Sequence, residues 1–162
     1  MDNSDEFKPK HTIRNSNAFQ KGREKLGGLI LKGMKTTGGT DVDWLVEHRG
    51  GFIIIESKEF HDDHISISLG QMIAFEKLHE RLIANGKCYF LIFAGDDKIN
   101  FDNPDSIIWY FEMKDWKEGN ISHREMDKPR RYIIERSSMK EMIIKDFRTT
   151  IEGFWEEFER EN

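Results

Sequence analysis

The segment TDVDWLVEHRGGFIIIESK, residues 40–58, contains the pattern that decides the fold of this chain. Apolar side chains dominate its first arm, a glycine pair follows at residues 50–51, and residues 52–55 are all apolar before the segment ends in ESK. Two apolar runs joined by a short glycine turn predict a β-hairpin. We therefore expect two antiparallel strands that carry acidic residues on both arms.

The position of the turn decides which residues of the two arms face each other. A turn at residues 50–51 places Asp43 opposite Lys58, whereas a turn at residues 49–50 places Asp43 opposite Glu56. A three-residue loop would put the charges of the two arms on opposite faces. With either two-residue turn, four charged residues share one face of the sheet: Asp41, Asp43, Glu56 and Lys58.

This cluster of carboxylates at the ends of apolar strands requires a positive partner. A buried unpaired charge costs several kcal/mol, and clustered carboxylates also repel each other. Carboxylate oxygens suit Mg²⁺ or Mn²⁺, which take one or two protein carboxylates and leave positions for water and phosphate. A lysine beside such an ion adds positive charge near the water or the phosphate. The pattern therefore predicts a site that hydrolyses phosphodiester bonds.

Asp43, Glu56 and Lys58, with each acid on an apolar strand and a glycine turn between the strands, resemble the motif of the PD-(D/E)xK nuclease superfamily. The similarity is to its RecB-like and Holliday-junction-resolvase-like branches. It implies a restriction-endonuclease-like α/β fold, with a central mixed β-sheet of about four to five strands flanked by helices. It also implies that Asp43, Glu56 and the Ser57 carbonyl hold Mg²⁺ or Mn²⁺, while Lys58 acts on the attacking water.

Two residues outside the hairpin extend this resemblance, which covers residues 18–94. Glu24, in a helical stretch, resembles the first-helix glutamate that often completes the metal site of the family. Gln71, at the start of a helix expected over residues 69–84, resembles the glutamine that follows the lysine in the RecB-like branch. The resemblance implies that Gln71 positions Lys58 or the substrate.

The chain also departs from the family pattern. No proline precedes the aspartate, and Phe75 stands where the RecB-like branch often has a tyrosine. Asp41 is a second candidate for the first metal ligand. The spacing to Glu56 and the apolar residues that follow favour Asp43.

Length and composition limit the class of protein. With 162 residues the chain is long enough for one domain with a sizeable core, and we expect a mobile arm over residues 1–15 followed by a single domain over residues 16–162. The single cysteine, Cys88, excludes an intrachain disulfide framework and fits a reducing compartment. No apolar run approaches the ~20 residues that span a bilayer. We therefore expect a soluble cytoplasmic protein.

The charge distribution bears on the partner. The net charge of −5 is unfavourable for nucleic-acid binding, which depends largely on Lys and Arg. Residues 1–40, however, carry eight Lys or Arg against four Asp or Glu, and residues 128–148 carry seven against three. Lys128, Arg130 and Arg131 form a basic cluster and are candidate contacts to phosphate. A salt-bridged surface is the alternative interpretation of this cluster.

The other segments complete an α/β order. Residues 88–94 form a continuous apolar run, typical of a buried central strand, and the preceding helix makes this strand parallel to one arm of the hairpin. Residues 107–113 predict another strand. The polar segments 59–68 and 118–131 are expected to be loops.

A final helix is expected from Ser137 or Ser138 to Glu159. Apolar residues recur along it at intervals of three and four and form one narrow seam: Ile144, Phe147, Ile151, Phe154 and Phe158. The seam either covers the sheet or forms a homodimer.

Two classes of function follow from these observations. The first is a metal-dependent nuclease acting on DNA, as an endonuclease rather than an exonuclease, in recombination, repair, restriction or phage-related processing. The second is a catalytically inactive, nuclease-like fold that binds another protein as an adaptor. The acidic net charge and the aromatic C-terminal segment favour the adaptor.

Overall fold

The computed structural model describes residues 16–30, 40, 42–95 and 99–160. The chain divides into two compact units, Met1–Gly39 and Thr40–Asn162. The first unit contains helix α1 (Ser16–Ile30), on which Leu26 and Leu29 are exposed. The predicted N-terminal arm lies outside the described residues, and the predicted single domain after it stays a prediction.

The second unit contains, in chain order, β1 (Trp44–His48), β2 (Gly51–Glu59), β3 (His64–Ser68), α2 (Leu69–Ile83), β4 (Cys88–Gly95), β5 (Ile107–Glu112), α3 (Met113–Lys117), β6 (Arg124–Asp127), β7 (Arg130–Glu135), β8 (Lys140–Ile143) and α4 (Ile144–Arg160). A short 3₁₀ helix precedes β8. Among the residues that the structure describes, no helix combines the length and the hydropathy needed to cross a bilayer.

The strands form two sheets. The larger sheet has five strands in the order β1-β2-β4-β5-β8, and the smaller has three in the order β3-β7-β6. β2 and β4 are parallel, as expected for strands joined by a helix-containing crossover, and the other neighbouring strands are antiparallel. The prediction of an α/β fold with a mixed sheet flanked by helices is confirmed.

The hairpin turn lies at Arg49 and Gly50, which selects one of the two registers that the sequence allows. Both residues have positive φ angles, 52° at Arg49 and 81° at Gly50. This left-handed geometry is that of a type I′ turn, whose twist matches the twist of the flanking strands. Trp44 consequently pairs with Ile55, and the arms of the hairpin continue in that register.

One face of the larger sheet forms the core with α2 and the smaller sheet. Phe75 of α2 packs against Phe90 of β4, with ring centroids 5.2 Å apart. Ile65 and Ile67 of β3 contribute from the smaller sheet and are fully buried. Other buried members of this cluster are Ile54, Met72, Ile92, Phe111 and Ile134.

Helix α4 packs on the other face of the larger sheet. Phe154 stacks on Tyr89 with ring centroids 3.6 Å apart, and Phe147 meets Tyr110 at 5.5 Å in an edge-to-face arrangement. Phe158 is buried against the backbone of Gly51. The apolar seam of α4 therefore covers the sheet, while dimer formation through this helix stays a prediction.

Three segments differ from the expectation. The supposed loop 59–68 contains the end of β2 and all of β3, and the supposed loop 118–131 contains β6 and the start of β7. The last helix begins only at Ile144, because residues 140–143 pair with β5 as an edge strand. β3 and β8 are short strands that are stabilised by partners distant in sequence, whereas β6 pairs with the next strand, β7, across the turn at residues 128–129.

We predict that Gly51→Ala destabilises the protein. A Cβ atom at this position would lie 2.5 Å from the buried ring of Phe158. Overpacking of this kind costs about 1–3 kcal/mol, and chemical denaturation followed by fluorescence would measure the change in the free energy of unfolding.

Gly153→Ala is the matched control, because nothing lies within 4 Å of a Cβ atom at this position of α4. It should stabilise the helix by about 0.5–1 kcal/mol. Equal stability of Gly51→Ala and the wild type would show that α4 does not pack against the hairpin as described.

A second prediction concerns pH. The Glu157 carboxylate of α4 accepts hydrogen bonds from Lys87 and Tyr89, and these two donors lower the pKa of Glu157. A lowered pKa contributes stability above the pKa of an unfolded glutamate, about 4.3, and this contribution is lost as the pH falls through the folded-state value. Glu157→Gln should therefore destabilise the protein at pH 7 and make progressively less difference below about pH 4.

Thermal unfolding of the wild type and Glu157→Gln across this pH range would measure the effect. Glu156→Gln is the control, since Glu156 contacts only Arg160 on the same helix in the part of the chain described. If the melting temperature of Glu157→Gln stayed below that of the wild type by a constant amount down to strongly acidic pH, the lowered pKa of Glu157 would be contradicted.

Candidate functional site

The candidate site lies where the hairpin arms end, beyond the last pair of β1 with β2. Trp44 pairs with Ile55, so continuing the register brings Asp43 beside Glu56. The Asp43 carboxylate accepts a hydrogen bond from the Ser57 backbone N–H at 2.7 Å. The two acids therefore belong to neighbouring strands and to the same end of the sheet.

Glu56, Lys58 and Gln71 are joined to one another by hydrogen bonds. Lys58 Nζ donates to Glu56 Oε1 at 2.5 Å and to Gln71 Oε1 at 3.2 Å. Gln71 Nε2 donates to the same Glu56 oxygen at 3.2 Å. Glu56 and Lys58 meet because residues two apart on a strand lie on the same face.

This set of side chains is largely withdrawn from solvent. The side chain of Glu56 is 6% exposed and that of Lys58 is 18% exposed. Glu56 is in register with Ile92 of the neighbouring strand β4, which in turn pairs with Phe111 of β5, and both of these residues are fully buried. Apolar surroundings strengthen the attraction between carboxylate and ammonium, and they make the loss of either partner costly.

Helix α2 positions Gln71. The Ser68 side chain caps this helix and accepts a hydrogen bond from the Gln71 backbone N–H at 3.2 Å. The cap fixes the first turn, which directs Gln71 toward the pair of charges on β2. Ser68 was not assigned a site role from the sequence, although its spacing to Gln71 is that of a capping box.

The basic cluster divides into two kinds of residue. Arg131 is half-buried and donates to Ser66, from Nε to the hydroxyl at 2.5 Å and from Nη2 to the carbonyl at 3.3 Å. Lys128 and Arg130 are exposed where β6 turns into β7. Since Arg131 pairs with Ser68 across the smaller sheet, this turn lies near the N-terminal end of α2.

Two predicted acids are not part of the described cluster. Glu24 lies on α1 in the first unit and is exposed, so its role as a ligand stays a prediction. Asp41 lies outside the described residues. Asp43 is therefore the aspartate for which the structure gives a contact on the β1 arm of the site.

The oxygen atoms at the site fit a hard divalent cation that binds few protein ligands. Within the described ranges, no three His, Cys, Asp or Glu side chains are arranged around a common metal position. The available oxygens are the carboxylates of Asp43 and Glu56 and the Ser57 carbonyl, which lies on the same side of β2 as its Asp43-bonded N–H. Two carboxylates and a carbonyl suit Mg²⁺ or Mn²⁺ bound with several waters.

Comparison of the sequence with models of known protein families found no match, and comparison with curated proteins found no match either. The function is therefore inferred from the geometry of the site.

We predict strong energetic coupling between Glu56 and Lys58. Lys58→Met removes the ammonium partner of a buried carboxylate and should cost about 1–3 kcal/mol. Glu56→Gln/Lys58→Met should be less destabilised than the sum of the single variants by about 1–3 kcal/mol, since neither variant residue carries a charge. Chemical denaturation of all four proteins closes the double-mutant cycle.

The matched control is the Lys77–Glu80 pair on the exposed side of α2, with 2.9 Å between Nζ and Oε2. The cycle Lys77→Met/Glu80→Gln should give a much smaller coupling, because solvent screens this pair. Similar coupling energies for the two pairs would contradict the buried network.

Proposed function

We propose that this chain is a metal-dependent nuclease of the PD-(D/E)xK type with a restriction-endonuclease-like fold, which hydrolyses phosphodiester bonds in DNA. One observation carries the proposal. Glu56, Lys58 and Gln71, selected from the sequence as parts of one motif, lie in mutual hydrogen-bond contact, and Asp43 is on the neighbouring strand. A structural ion pair alone does not require a second carboxylate at that position.

Asp43, Glu56 and the Ser57 carbonyl would hold the metal ion. A bound Mg²⁺ or Mn²⁺ would supply Lewis-acid stabilisation of the phosphate and make water a better nucleophile. The Ser57 N–H keeps the Asp43 carboxylate turned toward β2, at 2.7 Å. This contact holds the more exposed of the two acids in place before substrate binds.

Lys58 would be the group that acts on the reacting atoms. Its ammonium lies at the rim of the buried cluster, where it would orient the attacking water and offset the negative charge that grows on the phosphate. Gln71 is a positioning residue in this scheme. Its two hydrogen bonds to Lys58 and Glu56 limit the number of directions in which the flexible lysine can point.

The substrate backbone would be bound by the turn between β6 and β7. Lys128 and Arg130 are exposed there, near the N-terminal end of the helix that carries Gln71. Basic side chains of this kind contact phosphate and set the register of the nucleic acid without reading its bases. Arg131 would act by holding this turn on β3 through Ser66.

The second candidate is a catalytically inactive adaptor of the same fold. It is favoured by the exposed apolar side chains of β1, which fit a protein partner, and by the protein hydrogen-bond donors at both site carboxylates. An adaptor needs neither metal nor phosphate contacts. The two candidates therefore differ in cleavage and in metal binding.

The proposal predicts Mg²⁺- or Mn²⁺-dependent cleavage of at least one of four DNA substrates: single-stranded, duplex, flapped and four-way-junction. Asp43→Asn, Glu56→Gln and Lys58→Met should each lower the single-turnover rate by about 100-fold or more, because each removes charge that acts on the transition state. Circular dichroism should report folded protein for every variant assayed.

Lys77→Met is the control, as it removes a lysine from the exposed face of α2. It should cleave at the wild-type rate. A folded Lys58→Met protein with near wild-type activity would reject the catalytic assignment, and an inert wild-type protein would favour the adaptor.

A further inference from the structure

The open edge of β1 has the properties of a pairing surface. β1 is the outermost strand of the larger sheet, and within the described ranges β2 is its one neighbour. Trp44, Leu45 and Val46 are 60%, 48% and 43% exposed. Edge strands in monomers are usually protected by charge, proline or a bulge, whereas here three consecutive apolar residues face solvent.

Among the described strands, β2 alone bonds to the backbone of β1, so half of the backbone groups of β1 point to the open edge. In a two-residue hairpin turn, the residues that flank the turn form a hydrogen-bonded pair, so His48 and every second residue before it bond to β2. The N–H and C=O groups of Leu45 and Glu47 therefore point away from β2. The Glu47 side chain does not block this edge, because it accepts a hydrogen bond from the Gly50 N–H at 2.7 Å.

We propose that β1 pairs with β1 of a second copy of this chain, antiparallel, about a two-fold axis normal to the sheet. The seam of α4 is already used by contacts with the sheet, whereas β1 combines three consecutive exposed apolar side chains with an open strand edge. The larger sheets of the two copies would join into one sheet of ten strands. We infer a second copy as the partner because β1 is complementary to itself when two copies pair antiparallel.

Among two-fold axes at the three central residues of β1, one avoids opposing like charges. A two-fold axis normal to the sheet leaves the same face of both copies pointing in the same direction. A residue of one copy can therefore oppose only residues whose side chains lie on the same face of the other copy. An axis at Leu45 would place Asp43 against Glu47, and an axis at Glu47 would place that carboxylate against itself. Like charges directly opposed across strands are unfavourable.

An axis at Val46 avoids both clashes and uses the whole strand. Trp44 then opposes His48, Leu45 opposes Glu47, and Val46 opposes its own copy. Leu45 and Glu47 are the residues whose backbone groups point outward, so the two symmetric pairs would exchange about four hydrogen bonds. The interface is small, so the dimer should form in a concentration-dependent manner.

The dimer would place both candidate sites on the same face of the joined sheet. From strand spacing and rise per residue, the two Glu56 positions would be roughly 25 Å apart. This is less than one turn of B-DNA, about 34 Å, so two sites could reach opposite strands of one duplex. This consequence rests on the proposed nuclease function, whereas the pairing of β1 does not.

Sedimentation equilibrium of the full chain tests the pairing. The mass of the wild type should rise from monomer toward dimer between about 1 and 200 µM. Val46→Glu and Val46→Lys should each weaken association at least about tenfold, because each places like charges against each other at the two-fold axis. An equimolar mixture of the two variants should recover dimer, since Glu then opposes Lys.

Ile83→Glu is the control, as Ile83 of α2 is similarly exposed, at 49%, and it should associate like the wild type. A wild-type chain that stays monomeric over the whole range would overturn the proposal. So would single variants that dimerise like the wild type, or a mixture that stays monomeric. None of these outcomes depends on nuclease activity, so failure of the dimer and failure of the proposed function are distinguishable.

Discussion

The left-handed turn at Arg49 and Gly50 is the constraint on which the rest of the structure depends. It sets the register of the hairpin, and with it the position of Asp43 beside Glu56. A slip of one residue would move every side chain of one arm to the other face of the sheet. The same turn decides which backbone groups of β1 bond to β2 and which point to the open edge. One local conformation thus shapes both the candidate site and the proposed dimer surface.

Burial of Glu56 links stability to the proposed chemistry. The carboxylate is held beside apolar core residues by Lys58 and Gln71, and Gln71 is in turn held by the cap of α2 at Ser68. Such a pair contributes little net stability compared with apolar residues of similar volume. The proposed metal site would give this pair a role other than stability, because such a site needs a carboxylate and a lysine at fixed positions.

The sequence predicted the parts of the fold whose patterns are strong and local. The hairpin, the buried strand β4 and its parallel pairing, and helix α2 follow from apolar runs, a glycine turn and helical periodicity. The candidate site followed from the same segments, because residues two apart on a strand and a residue in the first turn of a helix have predictable directions. The contact between Asp43 and the Ser57 N–H follows from the pairing of β1 with β2.

The missed elements are short strands, and the partners of β3 and β8 are distant in sequence, whereas β6 and β7 form a local hairpin. Ser66 of β3 pairs with Ile133 of β7, and Trp109 of β5 pairs with Glu141 of β8. Their alternation covers four to six residues and includes charged side chains, so local pattern alone does not separate them from loops. The anchoring of Arg131 on Ser66 was missed for the same reason, since it depends on the pairing of β3 with β7.

Titration with Mn²⁺, followed by electron paramagnetic resonance, tests most directly whether the end of the hairpin is a metal-dependent site. The wild type should bind Mn²⁺, Asp43→Asn and Glu56→Gln should bind it at least about tenfold more weakly, and Lys58→Met should bind it about as well as the wild type. Affinity that is absent in the wild type, or unchanged in Asp43→Asn and Glu56→Gln, would contradict the account.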